Sequence, residues 1–166
     1  PPVWCRARDL QLGAAGADDQ VVMQSPPLWV LVLSDGQAEQ VGPTVDSAQA
    51  VAHGVIVLER SSSASPPVIG ASSPCPVRWL ALDWTDDDAV ARVLDALEGW
   101  CLVLGAGERM RGDWTAWNAL MPIGVDHVSV RIDDRAEVRL ARACAAAQAV
   151  IGRDAPSASS ELWITA

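Results

Sequence analysis

The chain has 166 residues, a length that fits one ordinary domain, and half of the residues are hydrophobic against one fifth charged, which is typical of a globular protein. Twelve arginines against 21 acidic residues give a formal net charge of −9, so the chain lacks the basic surface that nucleic acids and anionic membranes require. It contains no lysine and no tyrosine, which excludes a P-loop, a Schiff-base lysine and a Ser-Tyr-Lys catalytic set.

The first quarter of the chain predicts an extension followed by a buried strand. Residues 1–27 are mixed in character and are predicted to be an N-terminal extension or linker. The continuous apolar run at residues 28–33 predicts a strand that is covered on both faces, as in a parallel sheet. Residues 34–37 then predict a turn, residues 44–52 a helix on a weak apolar spacing, and residues 55–58 a second short strand.

A serine- and proline-rich loop is predicted at residues 61–76, and a clear strand-helix-strand unit follows it. Residues 77–82 predict a strand that ends near Asp83. Thr85 is the expected N-cap of the next helix, and Asp86 to Asp88 lie where negative charge stabilises a helix start. Apolar residues at 90, 93, 94 and 97 give this helix one buried face, and Gly99 is the expected stop.

The second half of the chain predicts further alternation of strands and helices. A strand at 101–104 runs into a glycine-containing turn. It is followed by a helix at 114–121, a strand at 125–132, the longest helix at 135–151 ending at Gly152, and a last strand at 162–164. This order predicts an α/β fold in one domain over residues 28–166. We expect a doubly wound, mostly parallel sheet with helices on both faces.

The candidate ligand-binding residues favour no metal, cofactor or catalytic site. Cys5, Cys75, Cys101 and Cys144 lack zinc-ligand spacing and are expected to be buried, reduced thiols, and His53 and His127 are isolated in sequence. The acidic run 86–88 is explained by the helix start. No catalytic, cofactor-binding or metal-binding residue is therefore predicted in this chain.

Two glycine-containing turns are candidate phosphate-binding sites. The loop after the first strand has only Gly36, with Glu39 close to where phosphates would lie, whereas dinucleotide folds use three glycines. The later turn Gly105-Ala106-Gly107 has Met110 in the place of the third glycine. Neither turn predicts nucleotide binding.

The ends and the hydropathy of the chain give expectations about its context. No signal peptide is visible at Pro1 and no apolar stretch approaches about 18 residues, so we expect a cytoplasmic protein without a membrane span. A chain that starts Pro-Pro and ends in a predicted strand is expected to be a piece of something longer.

Several stretches of the chain resemble a known enzyme superfamily. Residues 77–107, V-R-W-L-A-L-D-W-T-D-D-D-A-V-A-R-V-L-D-A-L-E-G-W-C-L-V-L-G-A-G, resemble the middle of a short-chain dehydrogenase/reductase, although G-A-G stands where that superfamily has N-A-G. A predicted helix ending at Gly152, a variable loop and the closing E-L-W-I-T-A resemble the end of the structural subdomain of a modular polyketide synthase ketoreductase, and the opening L-W-V-L-V-L-S-D-G-Q resembles its first strand.

This resemblance implies a truncated Rossmann-like fold that binds no cofactor itself. It implies packing on the catalytic ketoreductase subdomain of the same polypeptide, which supplies NADPH binding and the Ser, Tyr and Lys residues. The leading hypothesis is therefore a non-catalytic structural subdomain. A divergent short-chain dehydrogenase/reductase fragment with residual nucleotide binding, and a flavodoxin-like ligand- or protein-binding domain, are the alternatives.

Overall fold

A computed structural model describes the backbone of residues 26–61, 66, 74–112, 114, 127–132, 135–142 and 161–163. Side chains are described for residues 26–61, 66, 74–112, 114 and 140–142. Residues 1–25 of the extension predicted at 1–27, most of the serine/proline-rich loop, residues 115–121 of the helix predicted at 114–121, and residues 143–160 lie outside the described residues. Cys5 and Cys144 do so as well.

The described residues form eight strands and two helices, and the elements follow one another in this order. They are β1 Leu28–Ser34, α1 Ala38–Ala48, β2 Gly54–Glu59, β3 Val77–Ala81, α2 Asp87–Leu94, β4 Trp100–Gly105, β5 Arg109–Arg111, β6 His127–Ile132, β7 Arg135–Arg142 and β8 Glu161–Trp163. None of the helices in the described ranges is long and apolar enough to cross a membrane.

The strands form one mixed sheet in the order β3-β2-β1-β4-β7-β6-β8-β5. The neighbours β3, β2, β1 and β4 run parallel, whereas β7 pairs antiparallel with both β4 and β6, and β6 pairs antiparallel with β8. The short strand β5 pairs parallel with β8. The predicted α/β fold is therefore confirmed, but among the described strands the pairings of β7 with β4 and β6, and of β6 with β8, are antiparallel, in contrast to the mostly parallel sheet that was expected.

The two helices cover opposite faces of the parallel half, as predicted. Successive residues of a strand point to opposite faces, and the core accordingly separates into two clusters. The α1-side cluster includes Val30, Val32, Val41, Val45, Val55, Val57, Leu102 and Leu104. The α2-side cluster includes Leu31, Leu33, Ile56, Leu58, Val90, Leu94, Leu97, Cys101 and Val103. Coverage on both faces explains why these strands read as unbroken apolar runs.

The second half of the sheet bends back towards α1. Only residues 106–108 join β4 to β5, although three strands lie between them in the sheet. A flat sheet would separate them by about 19 Å, whereas the connection from Gly105 to Arg109 spans at most about 14 Å. The backbone N–H of Met110 on β5 also donates to Ser47 Oγ on α1, at 3.1 Å. The sheet must therefore curl, which brings β5 against α1.

The prediction of a long helix at residues 135–151 is wrong over its described part, because residues 135–142 form β7. Leu140 and Ala141 pair with Leu102 and Cys101 of β4, and both are fully buried by that pairing. Polar and apolar residues also alternate strictly over residues 135–140, which is the period of a strand. The structure follows this alternation and not the helical spacing that includes Leu140 and Ala141.

Helix boundaries also differ from the predictions. Asp86, not Thr85, caps α2, because its Oδ1 accepts from the backbone N–H groups of Asp88 and Ala89 at 3.0 and 3.2 Å. The helix ends at Leu94, and i to i−3 hydrogen bonds tighten the chain beyond it. Gly99 serves a different contact: its φ is +92°, and a Cβ there would lie 2.2 Å from the carbonyl oxygen of Pro27.

Helix α1 starts six residues before the predicted helix at 44–52 and contains Pro43. Proline has no N–H and fits best near a helix start, so its place inside α1 is unfavourable for the helix. The buried residues Val41, Val45 and Ala48 hold the helix on the sheet in spite of Pro43.

Candidate functional site

The carboxyl ends of the parallel strands are the place to look for a ligand site. In open α/β sheets, ligands bind beyond these ends, at the point where the strand order reverses. Here β2 and β3 lie on one side of β1 and β4 lies on the other, so this point is between β1 and β4. The segments that meet there are residues 34–37, 59–61 and 105–108, which we call the carboxyl edge.

Glu59, the last residue of β2, is the central charged group of the carboxyl edge. Its side chain is 1% exposed. Its Oε2 accepts from Ser34 Oγ at 2.6 Å, and its Oε1 accepts from the backbone N–H groups of Gly36 and Ser61 at 2.8 and 2.7 Å. The carboxylate therefore joins the end of β1, the turn before α1 and the residues after β2.

The backbone around this carboxylate is fixed by a second set of contacts. The carbonyl oxygen of Ser34 accepts from the Arg60 N–H at 2.9 Å and from Trp84 Nε1 at 3.1 Å. The Arg60 guanidinium lies 5.1 Å from the centre of the Trp84 ring and forms an ion pair with Asp35. The hydrogen bond to Asp35 raises the pKa of Arg60 above its usual value. Because the pair is exposed, it contributes little to stability.

The carboxylate of Asp83, which follows β3, accepts hydrogen bonds from within its own loop. Its Oδ1 accepts from Thr85 Oγ1 at 2.6 Å and from the Thr85 backbone N–H at 3.0 Å. The side-chain hydrogen bond from Thr85 is the main reason why the pKa of Asp83 lies below its usual range, and the backbone hydrogen bond acts in the same direction. These contacts form a local turn that leads into the cap at Asp86.

Two hydroxyl side chains of α1 bind the part of the chain that follows β4. Thr44 Oγ1, fully buried, accepts from the Gly107 N–H at 2.9 Å, and Ser47 Oγ accepts from the Met110 N–H at 3.1 Å. Each hydroxyl also donates within the helix, to the carbonyl oxygens of Gln40 and Thr44 respectively. The turn after β4 is thus bound to α1 along one turn of helix.

The predicted glycine-containing turn Gly105-Ala106-Gly107 is hydrogen-bonded throughout. Gly105 N–H donates to Glu108 Oε2 at 2.7 Å, Ala106 N–H to the Leu33 carbonyl oxygen at 2.9 Å, and Gly107 N–H to Thr44. All three N–H groups that a phosphate would use therefore have partners inside the chain. Glu108, like Glu59, is 1% exposed.

The other predicted candidates do not meet at this edge. His53 lies at the opposite end of β2, where its ring meets Trp29 edge-on with centroids 5.1 Å apart. His127 begins β6. Cys75 and Cys101 are buried in different clusters on opposite faces of the sheet, and burial raises the pKa of the Cys75 thiol. Within the described ranges, no group of three or more His, Cys, Asp or Glu residues could hold a metal ion.

The residues that organise the carboxyl edge were missed in the sequence. Glu59 and Glu108 follow buried apolar strands, and Thr44 and Ser47 share one side of α1 with its buried residues. A polar residue that directly ends or follows an apolar run was the available signal. Their partners, however, are 25 and 63 residues away in the cases of Glu59 with Ser34 and Thr44 with Gly107.

We expect Thr44→Val to lower the free energy of unfolding by about 1–3 kcal/mol, because the Gly107 N–H loses its acceptor in a buried position. Urea denaturation monitored by tryptophan fluorescence measures this loss. Thr85→Val, which breaks an exposed hydrogen bond, is the control and should change stability by less than about 0.5 kcal/mol. Equal effects of the two substitutions would show that the contact between α1 and the turn is unimportant.

No protein-family model matches the chain, and no curated protein matches it.

Proposed function

We propose that this chain is a non-catalytic, truncated Rossmann-like structural subdomain of a polyketide synthase ketoreductase. Its role is to pack on and stabilise the catalytic ketoreductase half of the same polypeptide, which binds NADPH. The observation that carries this proposal is that the carboxyl edge, where folds of this type bind nucleotides, is hydrogen-bonded to itself.

The backbone N–H groups of Gly36 and of residues 105–107 at this edge already have partners, whereas the start of α1 has no side-chain cap. In dinucleotide-binding folds, backbone N–H groups of the first loop and the following helix face the phosphates. Here the Gly36 N–H donates to the Glu59 carboxylate, and the N–H groups of residues 105–107 donate within the chain. A phosphate entering the first loop would also meet the buried negative charge of Glu59. Both features disfavour nucleotide binding.

The strand order supports the likeness to a Rossmann fold. The parallel neighbours β3-β2-β1-β4 follow the order of the first half of that fold, with α1 and α2 on opposite faces. The resemblance of residues 28–37 and 161–166 to the ketoreductase structural subdomain, and of residues 77–107 to the middle of a short-chain dehydrogenase/reductase, is the reason for proposing this parent enzyme.

One observation favours the alternative of residual nucleotide binding. Glu59 ends β2, the position at which dinucleotide-binding folds carry the acidic residue that holds the ribose hydroxyls. Both of its oxygens, however, already accept hydrogen bonds from Ser34, Gly36 and Ser61. Three of the roughly four acceptor sites of this carboxylate are therefore in use, and the side chain is 1% exposed, so the structural role is preferred.

Titration decides between these two functions. We expect neither NADPH nor NADH to bind with a dissociation constant tighter than about 100 µM, or about 5.5 kcal/mol. Isothermal calorimetry and nicotinamide fluorescence measure the affinity. A tighter constant that weakens on Glu59→Gln would replace the structural proposal by the dehydrogenase fragment.

The packing role predicts that a partner improves the chain's behaviour. At the edge strand β3, Val77, Trp79 and Leu80 are only partly buried, and large apolar surface exposed to water promotes association. We expect the 166-residue chain to self-associate in light scattering. We also expect it to melt at a lower temperature than a chain extended by the residues encoded next.

A monomeric 166-residue chain that is no less stable than the extended one would contradict the packing role. The flavodoxin-like ligand- or protein-binding domain would then be the better hypothesis.

A further inference from the structure

Three donors of the carboxyl edge converge on one carboxylate. They are the Ser34 hydroxyl and the backbone N–H groups of Gly36 and Ser61, at 2.6, 2.8 and 2.7 Å from the Glu59 oxygens. These lengths are typical of hydrogen bonds to an ionised carboxylate. The donors lie at or just beyond the carboxyl ends of β1 and β2. They hold the carboxylate in the way that a binding site holds a ligand.

The backbone next to these donors has contacts and a conformation that do not involve the Glu59 side chain. Ser34 is the residue of β1 that pairs with Glu59 in the parallel register, and its carbonyl oxygen accepts from Arg60 N–H and Trp84 Nε1. Gly36 has a φ of +75° in the turn before α1, a conformation that favours glycine. Ser61 directly follows the anchored Arg60. The donors should therefore keep their places when the side chain is shortened.

We propose that these three donors form a carboxylate-binding site, which Glu59 fills in the native chain and which accepts a free small monocarboxylate once that side chain is removed. Glu59→Ala deletes the CH2 and the carboxylate, which together correspond to an acetate ion. The resulting space is buried and retains all three donors. The inference rests on the site geometry and does not depend on the proposed function.

The site should prefer a planar monoanion to phosphate. Its three donors address two oxygen atoms, which matches formate and acetate. The guanidinium nearest to it, that of Arg60, is already paired with Asp35 and stacked beside Trp84. A dianionic, tetrahedral phosphate would bring more charge and more oxygens than these donors match.

The experiment is a thermal melt of full-length Glu59→Ala in rising sodium acetate or formate, with sodium chloride and sodium phosphate at equal ionic strength as comparisons. We expect acetate at about ten times its dissociation constant to raise the melting temperature by about 3–6 °C. Chloride and phosphate should not produce this saturating rise. ¹³C-labelled acetate should also show line broadening with Glu59→Ala that unlabelled formate reverses.

Two variants act as matched controls. Glu59→Gln fills the same space, so its melting temperature should not respond to acetate beyond the chloride effect. In Ser34→Ala combined with Glu59→Ala, one donor is missing, and we expect the acetate affinity to fall about tenfold or more.

Several outcomes would overturn the proposal: equal responses to acetate and chloride, an acetate response of Glu59→Gln, or no loss of affinity without Ser34. If Glu59→Ala is unfolded in buffer, the fraction folded by circular dichroism in acetate against chloride replaces the melting temperature. Acetate-dependent folding supports the site, and its absence contradicts it.

Discussion

Glu59→Ala should lower the free energy of unfolding by about 3–5 kcal/mol in buffers without carboxylates, because three hydrogen-bond donors lose a buried, charged acceptor. Urea denaturation of the variant and the native chain measures the loss. Glu39→Ala, at an exposed position of α1, is the control and should change stability by less than about 1 kcal/mol.

The isosteric Glu59→Gln removes the charge of the side chain but keeps its shape, so it separates the contributions of charge and shape to stability. Its amide carries one oxygen in place of two, so at least one of the three donors faces an NH2 group. We expect a loss between those of Glu39→Ala and Glu59→Ala. A Glu59→Ala loss as small as that of the exposed control would show that the carboxylate does not join β1, β2 and α1 in solution.

Leu94→Ala should cost about 2–5 kcal/mol, because Leu94 is 1% exposed within the α2-side cluster and its truncation leaves a cavity. Asp86→Ala, which removes the cap of the same helix, should cost about 0.5–2 kcal/mol. The two substitutions compare the apolar face of α2 with its polar start. Denaturant midpoints at an unchanged slope measure both.

Equal losses, or a larger loss for Asp86→Ala, would contradict the view that burial holds α2 in place. Thr85→Val is the matched control for the cap, since Thr85 lies next to Asp86 and contacts Asp83 but no helical N–H. If Thr85→Val lowers stability as much as Asp86→Ala does, Thr85 would be the N-cap, as the sequence predicts.

Strong local patterns were predicted correctly. The apolar runs of β1, β2 and β4 were recognised because burial on both faces demands apolar side chains at every position. The start of α2 was located to within a residue, because an acidic N-terminus followed by apolar residues at helical spacing is itself a local signal. These features depend on residues that are neighbours along the chain.

Where the local sequence pattern was weak, tertiary contacts determined the secondary structure. Residues 135–142 have arginine, leucine and alanine, which fit a helix, but also alternate with a period of two. Pairing with β4 buries Leu140 and Ala141 and selects the strand. For α1, burial of Val41 and Val45 against the sheet outweighs the cost of Pro43 inside the helix, so the helix begins earlier than the apolar spacing of residues 44–52 predicts.

The composition, the buried strands of an α/β fold and the absence of lysine- and tyrosine-dependent chemistry were determined by the sequence itself, because each depends on residue identity or on neighbours along the chain. Only the tertiary structure decided that β7 pairs antiparallel with β4 and β6, and that the sheet curls back to α1. It alone placed Glu59 against Ser34 and Gly36, and Thr44 against Gly107. Such buried polar contacts join segments that are distant in sequence, and a hydrogen bond's energy depends on the meeting of two groups that no local pattern brings together.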